Sequence, residues 1–221
     1  MDWDEEYTME VQEALPLSIV VPAYNEESGL GGVLHNLCAL KLDNDFEIIV
    51  VDDGSDDQTP EIVRQFSDVR LIKHPQNQGY GASLKSGIRQ ARGRDICIID
   101  ADGTYPSDCI PVLLDHMTKN NCDMIVAART GERVAIPPIR RPAKWFITRL
   151  ASYVAGTNIP DLNSGLRVFP RETALGFFGI LPNGFSFTTT ITLGMLTNGY
   201  SVEYLPIDYH PRVGHSKIRP I

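Results

Sequence analysis

At 221 residues, 43% apolar and 22% charged, the chain has the size and composition of one large globular domain with a sizeable core, and is not a disordered or fibrous sequence. Its formal net charge of −8 argues against general nucleic-acid binding. That average hides an asymmetry: residues 1–60 hold fifteen acids and one base, residues 61–221 thirteen acids and nineteen bases. Arg129 to Arg171 alone carries eight bases against Glu132 and Asp161, which is either a solvated face or a surface for phosphates or a lipid headgroup layer.

Residues 1–14, "MDWDEEYTMEVQEA", are acidic and aperiodic and are expected to form a loosely docked arm. They do not form a secretory leader, which would be basic and then apolar. From Leu17 short apolar runs recur: "LSIVV", "FEIIVV", "VRLI", "ICIID" and "DMIVAA". Their length and β-branched content predict strands buried on both faces. Helical spacing falls between them, over Ser28–Leu40, Gln58–Phe66, Tyr80–Ala91 and Ser107–Lys119, where Ser107 or Asp108 can cap the last. The alternation predicts an α/β fold with a mostly parallel sheet. After Ala128 it stops. A basic, Pro-containing loop leads to helices at Lys144–Ala155 and Phe185–Leu196, a short strand within "IPDLNSGLRVFPRE" and a closing strand in "YSVEYLPIDYHPR". The expected organisation is one domain over 15–221, divided into a half at 15–128 and a more variable half at 129–221.

Cys38, Cys97, Cys109 and Cys122 form no C-x-x-C pair, so reduced structural thiols are expected and not a zinc site. No apolar run approaches the roughly 18 residues of a membrane span.

Ligands of open parallel sheets bind beyond the carboxyl ends of the strands. Here the first strand runs into "VPAYNEE", the second into "VVDDGSDD" and the fourth into "IIDADGTYP". Three strands thus bring carboxylates to one edge, a repulsive arrangement that a divalent cation with oxygen ligands would relieve. Asp100-Ala101-Asp102 could hold a metal that neutralises a diphosphate, and the small Ala101 would let backbone approach the ligand. The glycines of "NQGYGASLKSG" lack the spacing of a P-loop or dinucleotide fingerprint. Gly79, Gly81 and Gly87 are instead expected to permit tight turns and close helix packing. Lys85 is either solvated or a ligand contact.

Taken in order, "IVVPAYNEE", "EIIVVDDGSDD", "NQGYGASLKSGI", "IIDADGTYP", "DLNSGLRVF" and "RVGHSK" resemble the motifs of family 2 glycosyltransferases with a GT-A, Rossmann-like fold. The likeness runs from Leu17 to Pro220 and is nearest to the polyprenyl-phosphate sugar transferases, the dolichol-phosphate mannose synthase-like group. The resemblance implies a nucleotide-sugar donor, Mg2+ or Mn2+, and a polyprenyl or dolichyl phosphate acceptor, at the cytoplasmic face of a membrane. A membrane-anchoring segment or subunit outside this chain would fit that setting. By motif, Pro22, Ala23, Tyr24 and Glu26 would hold the nucleotide base, and Val51 and Asp53 would contact base and ribose. Asp100, Ala101 and Asp102 would bind the donor diphosphate, with the two acids ligating the metal. Arg129 would reach toward phosphate. Arg149, Ser152 and Ser216 would join it around the acceptor phosphate. Arg212, Lys217 and Arg219 would cover donor and acceptor phosphates. Thr104 stands where many relatives carry a Gln that adds a metal ligand.

A hydroxyl acceptor needs a general base, which such enzymes often supply at the start of a helix in the second half. Here Asn183–Met195, "NGFSFTTTITLGM", has no carboxylate. A phosphate monoester acceptor is already ionised and needs cations instead; Arg129, Arg140, Arg141, Lys144, Arg149 and Arg212 are available. The Trp145-Phe146-Ile147 face could rest at a membrane interface or pack as core. Three alternatives stay open: transfer to a sugar hydroxyl with Asp161 or Glu203 as base, nucleotidyl transfer, and a degenerate nucleotide-sugar-binding protein.

Overall fold

A computed structural model of the chain describes residues 15–131 and 141–213, and of residues 141–147 the backbone alone. The strands are β1 (Leu17–Ala23), β2 (Phe46–Asp52), β3 (Val69–Lys73), β4 (Asp95–Ile98), β5 (Met124–Ala128), β6 (Arg167–Pro170) and β7 (Val202–Pro206). They form one sheet in the order β3-β2-β1-β4-β6-β5-β7. Every pairing is parallel except those of β6, which runs antiparallel between β4 and β5. The acidic arm, residues 1–14, and the Pro-containing loop at 132–140 lie outside the described residues.

The apolar runs become strands because both of their faces are covered. Along β1, Ile19 and Val21 point into one core with Val50 and Cys97, while Val20 points into another with Ile49, Ile96 and Ile98. This is the two-residue alternation of a pleated strand with hydrophobic surface on each side. Helices α1 (Leu30–Cys38), α2 (Thr59–Val63) and α4 (Ile110–Asn120) follow β1, β2 and β4, and the first core collects their apolar residues. Helices α3 (Tyr80–Gln90), α6 (Arg171–Gly176) and α7 (Phe187–Thr197) contribute to the second. Helix α5 (Arg141–Ala155) rests on α7 through a third, small cluster around Ala151, Ile159 and Leu162.

Two local expectations change. Ser107–Cys109 forms a 3-10 turn and α4 begins at Ile110; neither Ser107 nor Asp108 makes a side-chain cap, and Pro111 in the first turn sets the entry. Helix α6 follows β6 directly, where only a turn and strand were expected. It is too short for apolar periodicity to reveal it.

Gly87 brings α3 against the sheet as expected. A Cβ there would lie 2.4 Å from Val20 Cγ1 and 3.2 Å from Val51 Cγ2, both fully buried. Gly87→Ala should therefore destabilise the chain by about 1–3 kcal/mol in chemical denaturation, overcoming the ~1 kcal/mol advantage of Ala in a helix. Combined with Val20→Ala, which opens that space, the loss should be smaller than the sum of the single losses. A Gly87→Ala variant as stable as wild type would refute the close approach.

Candidate active site

Because β1, β2 and β4 are parallel, their carboxyl ends share an edge: Ala23 is level with Asp52, and Val20 with Ile98. Two acidic loops there are laced together. The Asn25 amide donates to Ser55 Oγ (2.9 Å), the Asp56 amide donates to Asn25 Oδ1 (2.8 Å), and the Glu26 amide donates to Thr59 Oγ1 (2.8 Å). Asn25 adopts the left-handed backbone (φ 51°), which Asn tolerates well. Tyr24 is half-buried at this rim; Pro22 and Ala23 are buried beneath it.

Asp52 and Asp53 have different surroundings. Asp53 is buried, accepts the amides of Gln78 (2.9 Å) and Gly79 (2.8 Å), and meets His74 Nδ1 at 2.7 Å. His74 Nε2 in turn lies 2.8 Å from Ser86 Oγ. The Asp53 carboxylate thus folds the 74–79 loop with this chain's own donors. Asp52 Oδ1 accepts the Ser55 amide (3.0 Å), while its buried Oδ2 has no hydrogen-bond partner among the described residues and lies 3.9 Å from Lys73 Nζ. The Val51 side chain is wholly buried in the core.

Beyond β4 lie Asp100 and Asp102. The Tyr80 hydroxyl donates to Asp100 Oδ1 (2.9 Å). Burial, and then the Asp102 charge, push the Asp100 carboxyl up from 3.8 to about 6, against the opposing pull of Tyr80, Arg129 and Arg212. Burial and the neighbouring Asp100 charge also raise the Tyr80 hydroxyl well above its ordinary value, so it remains a donor. Across the antiparallel β4–β6 pair sits Gly165, where a Cβ would fall 2.4 Å from Asp100 Oδ2. The Gly165 amide donates to the Tyr105 hydroxyl (2.7 Å), fixing this strand entry. Thr104 turns Asp102: its amide (3.1 Å) and its hydroxyl (2.6 Å) both donate to Asp102 Oδ1. Here Thr104 is a buried orienting group.

The segment after β7 closes over this loop. The His210 amide donates to Thr104 O (3.0 Å) and the Val213 amide to Asp102 O (3.2 Å). Arg212 is thereby placed between the acidic elements, hydrogen-bonded through one terminal nitrogen to Glu26 Oε1 and lying 3.3 Å from Asp102 Oδ2 through the other. Its buried Nε has no hydrogen-bond partner among the described residues.

The remaining basic groups are distributed differently. Arg129 forks onto Asp161, Nε to Oδ2 (2.7 Å) and Nη2 to Oδ1 (2.9 Å), and lies over the Tyr209 ring at 5.2 Å. Burial disfavours its charge, but the Asp161 hydrogen bonds together with the charges of Tyr105, Asp161 and Tyr209 outweigh that and hold it protonated. Asp161, almost wholly buried, also accepts the amides of Arg129 (3.1 Å) and Asn163 (3.3 Å), so it shapes its own turn. Arg149 is exposed on α5, and Ser152 Oγ accepts the Ile159 amide (3.1 Å). Ser216, Lys217 and Arg219 lie outside the described residues, as do the side chains of Arg140, Arg141, Lys144 and Trp145–Ile147. Lys85 donates to Leu181 O (2.9 Å), pinning the loop before α7.

Sequence reasoning missed His74, Tyr80, Tyr105 and Arg167 as parts of the site or its support. Arg167 is fully buried, donating to Ser164 O (3.2 Å), Thr188 O (3.0 Å) and Thr192 Oγ1 (2.7 Å), so it ties the β6 entry to α7. A basic residue in "SGLRVF", amid apolar neighbours on a strand, was the available signal for a buried guanidinium.

Among the described residues no group of three or more His, Cys, Asp or Glu side chains is arranged to hold a metal ion. Asp100 and Asp102 offer two hard oxygen donors, which fits Mg2+ or Mn2+ completed by ligand phosphates and water. Burial and then the Asp102 charge raise the Asp100 carboxyl, and the Arg212 guanidinium lies beside Asp102, so positive charge is favoured next to the pair.

Known proteins are similar to this chain in sequence and in fold. A dolichyl-phosphate hexose transferase of Haloferax volcanii is 31% identical over 92% of this chain and 87% of its own. A dolichyl-phosphate beta-glucosyltransferase of Dictyostelium discoideum is 30% identical over 75% of this chain, which spans 57% of that protein. The fold matches crystal structures of glucosyl-3-phosphoglycerate synthase from Mycobacterium tuberculosis, one holding Mn2+, UDP and glucosyl-3-phosphoglycerate (TM-score 0.70, 20% identity, 93% of this chain and 73% of that one). It also matches Staphylococcus aureus TarS 1–349 with UDP (TM-score 0.63, 19% identity, 88% of this chain and 59% of that one). The model of "Glycosyl transferase family 2" matches residues 18–176, and the chain belongs to that family.

Proposed function

We propose that this glycosyltransferase moves a hexose from a nucleotide sugar, of GDP-mannose or UDP-glucose type, to a polyprenyl or dolichyl phosphate, with inversion and with Mg2+ or Mn2+. The observation that carries the reading is the division of the carboxylates. Asp100 and Asp102 crowd the strand edge, with Asp102 facing Arg212, whereas both acids named as bases for a hydroxyl acceptor are engaged elsewhere. Asp161 is locked on Arg129, and Glu203 lies 2.6 Å from His116 Nε2 and accepts from Asn120 (3.2 Å). An ionised phosphate acceptor needs neither. The relatives named for dolichyl phosphate support the same choice.

In this mechanism Asp100 and Asp102 hold the metal, which when bound supplies positive charge for the departing nucleoside diphosphate. Thr104 and Tyr80 keep the two carboxylates oriented. Glu26 and the 22–24 rim receive the base, with Val51 and Asp53 shaping the floor beside it. Arg212 moves its charge from Glu26 and Asp102 to the donor phosphates as they enter, aided by Lys217 and Arg219. Arg129, Arg149, Ser152 and Ser216 hold the acceptor phosphate. One of its oxygens attacks the anomeric carbon as the bond to the diphosphate breaks, so an α-linked donor yields a β-linked lipid-phosphate sugar.

No helix among the described residues is long and apolar enough to cross a membrane. Contact with the cytoplasmic membrane face would use α5, whose Leu150, Tyr153 and Val154 are 54%, 85% and 58% exposed at helical spacing. Residues 133–160 carry five bases and no acid, which suits an anionic leaflet.

Transfer of labelled hexose into the lipid fraction, with dolichyl phosphate as acceptor, tests the metal role. Both EDTA and Asp102→Ala should lower it by at least about 10²-fold; wild-type rates in either case would remove the acid pair from the mechanism. Asp100→Asn separates stability from activity. Above about pH 6 the ionised Asp100 opposes folding, because its proton is held more tightly in the folded state than at the ordinary 3.8. That penalty fades as pH falls through 6 toward 3.8. The variant should therefore melt above wild type at pH 8, lose the advantage near pH 4, and transfer no hexose. A melting difference independent of pH would contradict the burial and crowding of Asp100.

A further inference from the structure

Phe185, in the loop before α7, is 53% exposed, yet its position is built and specific. Its ring stacks on Tyr80 with centroids 5.3 Å apart and planes 22° from parallel. Tyr80 in turn donates to Asp100, so an aromatic surface runs from the acid pair outward to solvent. The loop carrying Phe185 is pinned onto the start of α3. The Ala82 amide donates to Asn183 O (3.1 Å), and Lys85 reaches Leu181 O (2.9 Å). The fit leaves no room at the contact: Cβ atoms at Gly79 (φ 104°) and Gly81 would lie 2.5 Å from Asn183 O and 2.2 Å from Pro182 O. Two hydrogen bonds and two close backbone contacts thus hold a large apolar ring half in water beside the Asp100 carboxylate. The core does not need it there, because its neighbour Phe187 already fills the interior.

We propose that the Tyr80–Phe185 pair is a sugar subsite, with the exposed Phe185 face stacking on the apolar C–H face of the hexose that the donor carries. This deepens the nucleotide-sugar reading and rests on it. An aromatic face takes up a pyranose because its axial C–H groups form an apolar patch, while its hydroxyls stay free for polar partners. Polar partners for those hydroxyls are at hand in the same stretch of chain. The residues around Phe185 fit this role: Ser186, Thr189 and Thr190 offer hydroxyls and Asn183 an amide, with no charge in the stretch. Tyr80 is the positioning residue of the pair, since it joins the platform to Asp100.

The test compares Phe185→Ala, Phe185→Trp and wild type with UDP and UDP-glucose, and with GDP and GDP-mannose. Circular dichroism melting should be unchanged, because the ring is half-exposed. Binding of the nucleoside diphosphate alone, by titration calorimetry with Mn2+, should stay within about twofold, since the platform meets only the sugar. In transfer to dolichyl phosphate, Phe185→Ala should lose about tenfold in kcat/KM for the nucleotide sugar, and Phe185→Trp should recover most of it. Unchanged donor kinetics in Phe185→Ala overturn the subsite. Loss confined to kcat/KM for dolichyl phosphate also overturns it, in favour of contact with the prenyl chain. If wild type binds none of the four nucleotides, the donor reading itself falls and the subsite with it. Wild-type binding and turnover with an indifferent Phe185→Ala sink the subsite alone.

Discussion

The arrangement depends on a repulsion that the fold does not remove. Parallel strands deliver Asp52, Asp53, Asp100 and Asp102 to one edge of the sheet, with Glu26 above them. Four of these five are buried, and Asp100 is partly so. Each is accommodated by a different device. Asp53 is consumed by backbone amides and His74, Asp52 caps its own turn, and Glu26 and Asp102 share Arg212. Asp100 accepts from the Tyr80 hydroxyl, and burial, then the Asp102 charge, raise its proton affinity, a deficit of solvation and of compensating charge. In the proposed function a cation and its phosphates would offset that repulsion.

The second half of the chain exists, in this light, to shape that deficit. β6 enters antiparallel beside β4 so that a glycine, Gly165, faces Asp100 and leaves the carboxylate room. Arg167, two residues on, anchors the same entry to α7 with neutral acceptors and so takes no carboxylate from the site. The segment after β7 then lays Arg212 across the acid pair by two main-chain hydrogen bonds, to Thr104 and Asp102. Arg129 is held by Asp161 just beyond β5, which fixes its direction and engages both Asp161 oxygens.

Much of this was legible in the residues. Apolar runs of four to seven residues punctuated by acids gave away the parallel strands, because only strands covered on both faces tolerate such runs. The close approach at Gly87 and the tight turn at Gly79 were also readable, since glycine is costly where nothing demands it. Sheet order was not. The insertion of β6 between β4 and β5 is a long-range choice that no local pattern encodes. Side-chain direction was equally hidden. Asp52 and Asp53 are both buried neighbours with the same chemistry, and only the path of the 74–79 loop decides which one receives its amides. Arg129 was expected to reach toward phosphate; its fork on Asp161, which no local pattern encodes, joins residues 32 apart in sequence. Thr104 shows the limit of motif comparison: in the place of a ligand it is a hydrogen-bond donor to the neighbouring acid.

The central claim is that this edge serves an acceptor that brings its own negative charge and needs no base. It is tested most directly by offering the wild-type chain dolichyl phosphate and dolichol of equal length, in the same detergent, with a labelled donor and Mn2+. The account predicts a labelled lipid from the phosphate alone, in the β configuration when the donor is α-linked. Label on dolichol, at a rate comparable to that on the phosphate, would contradict it, because that transfer requires a general base, and Asp161 and Glu203 are both engaged elsewhere.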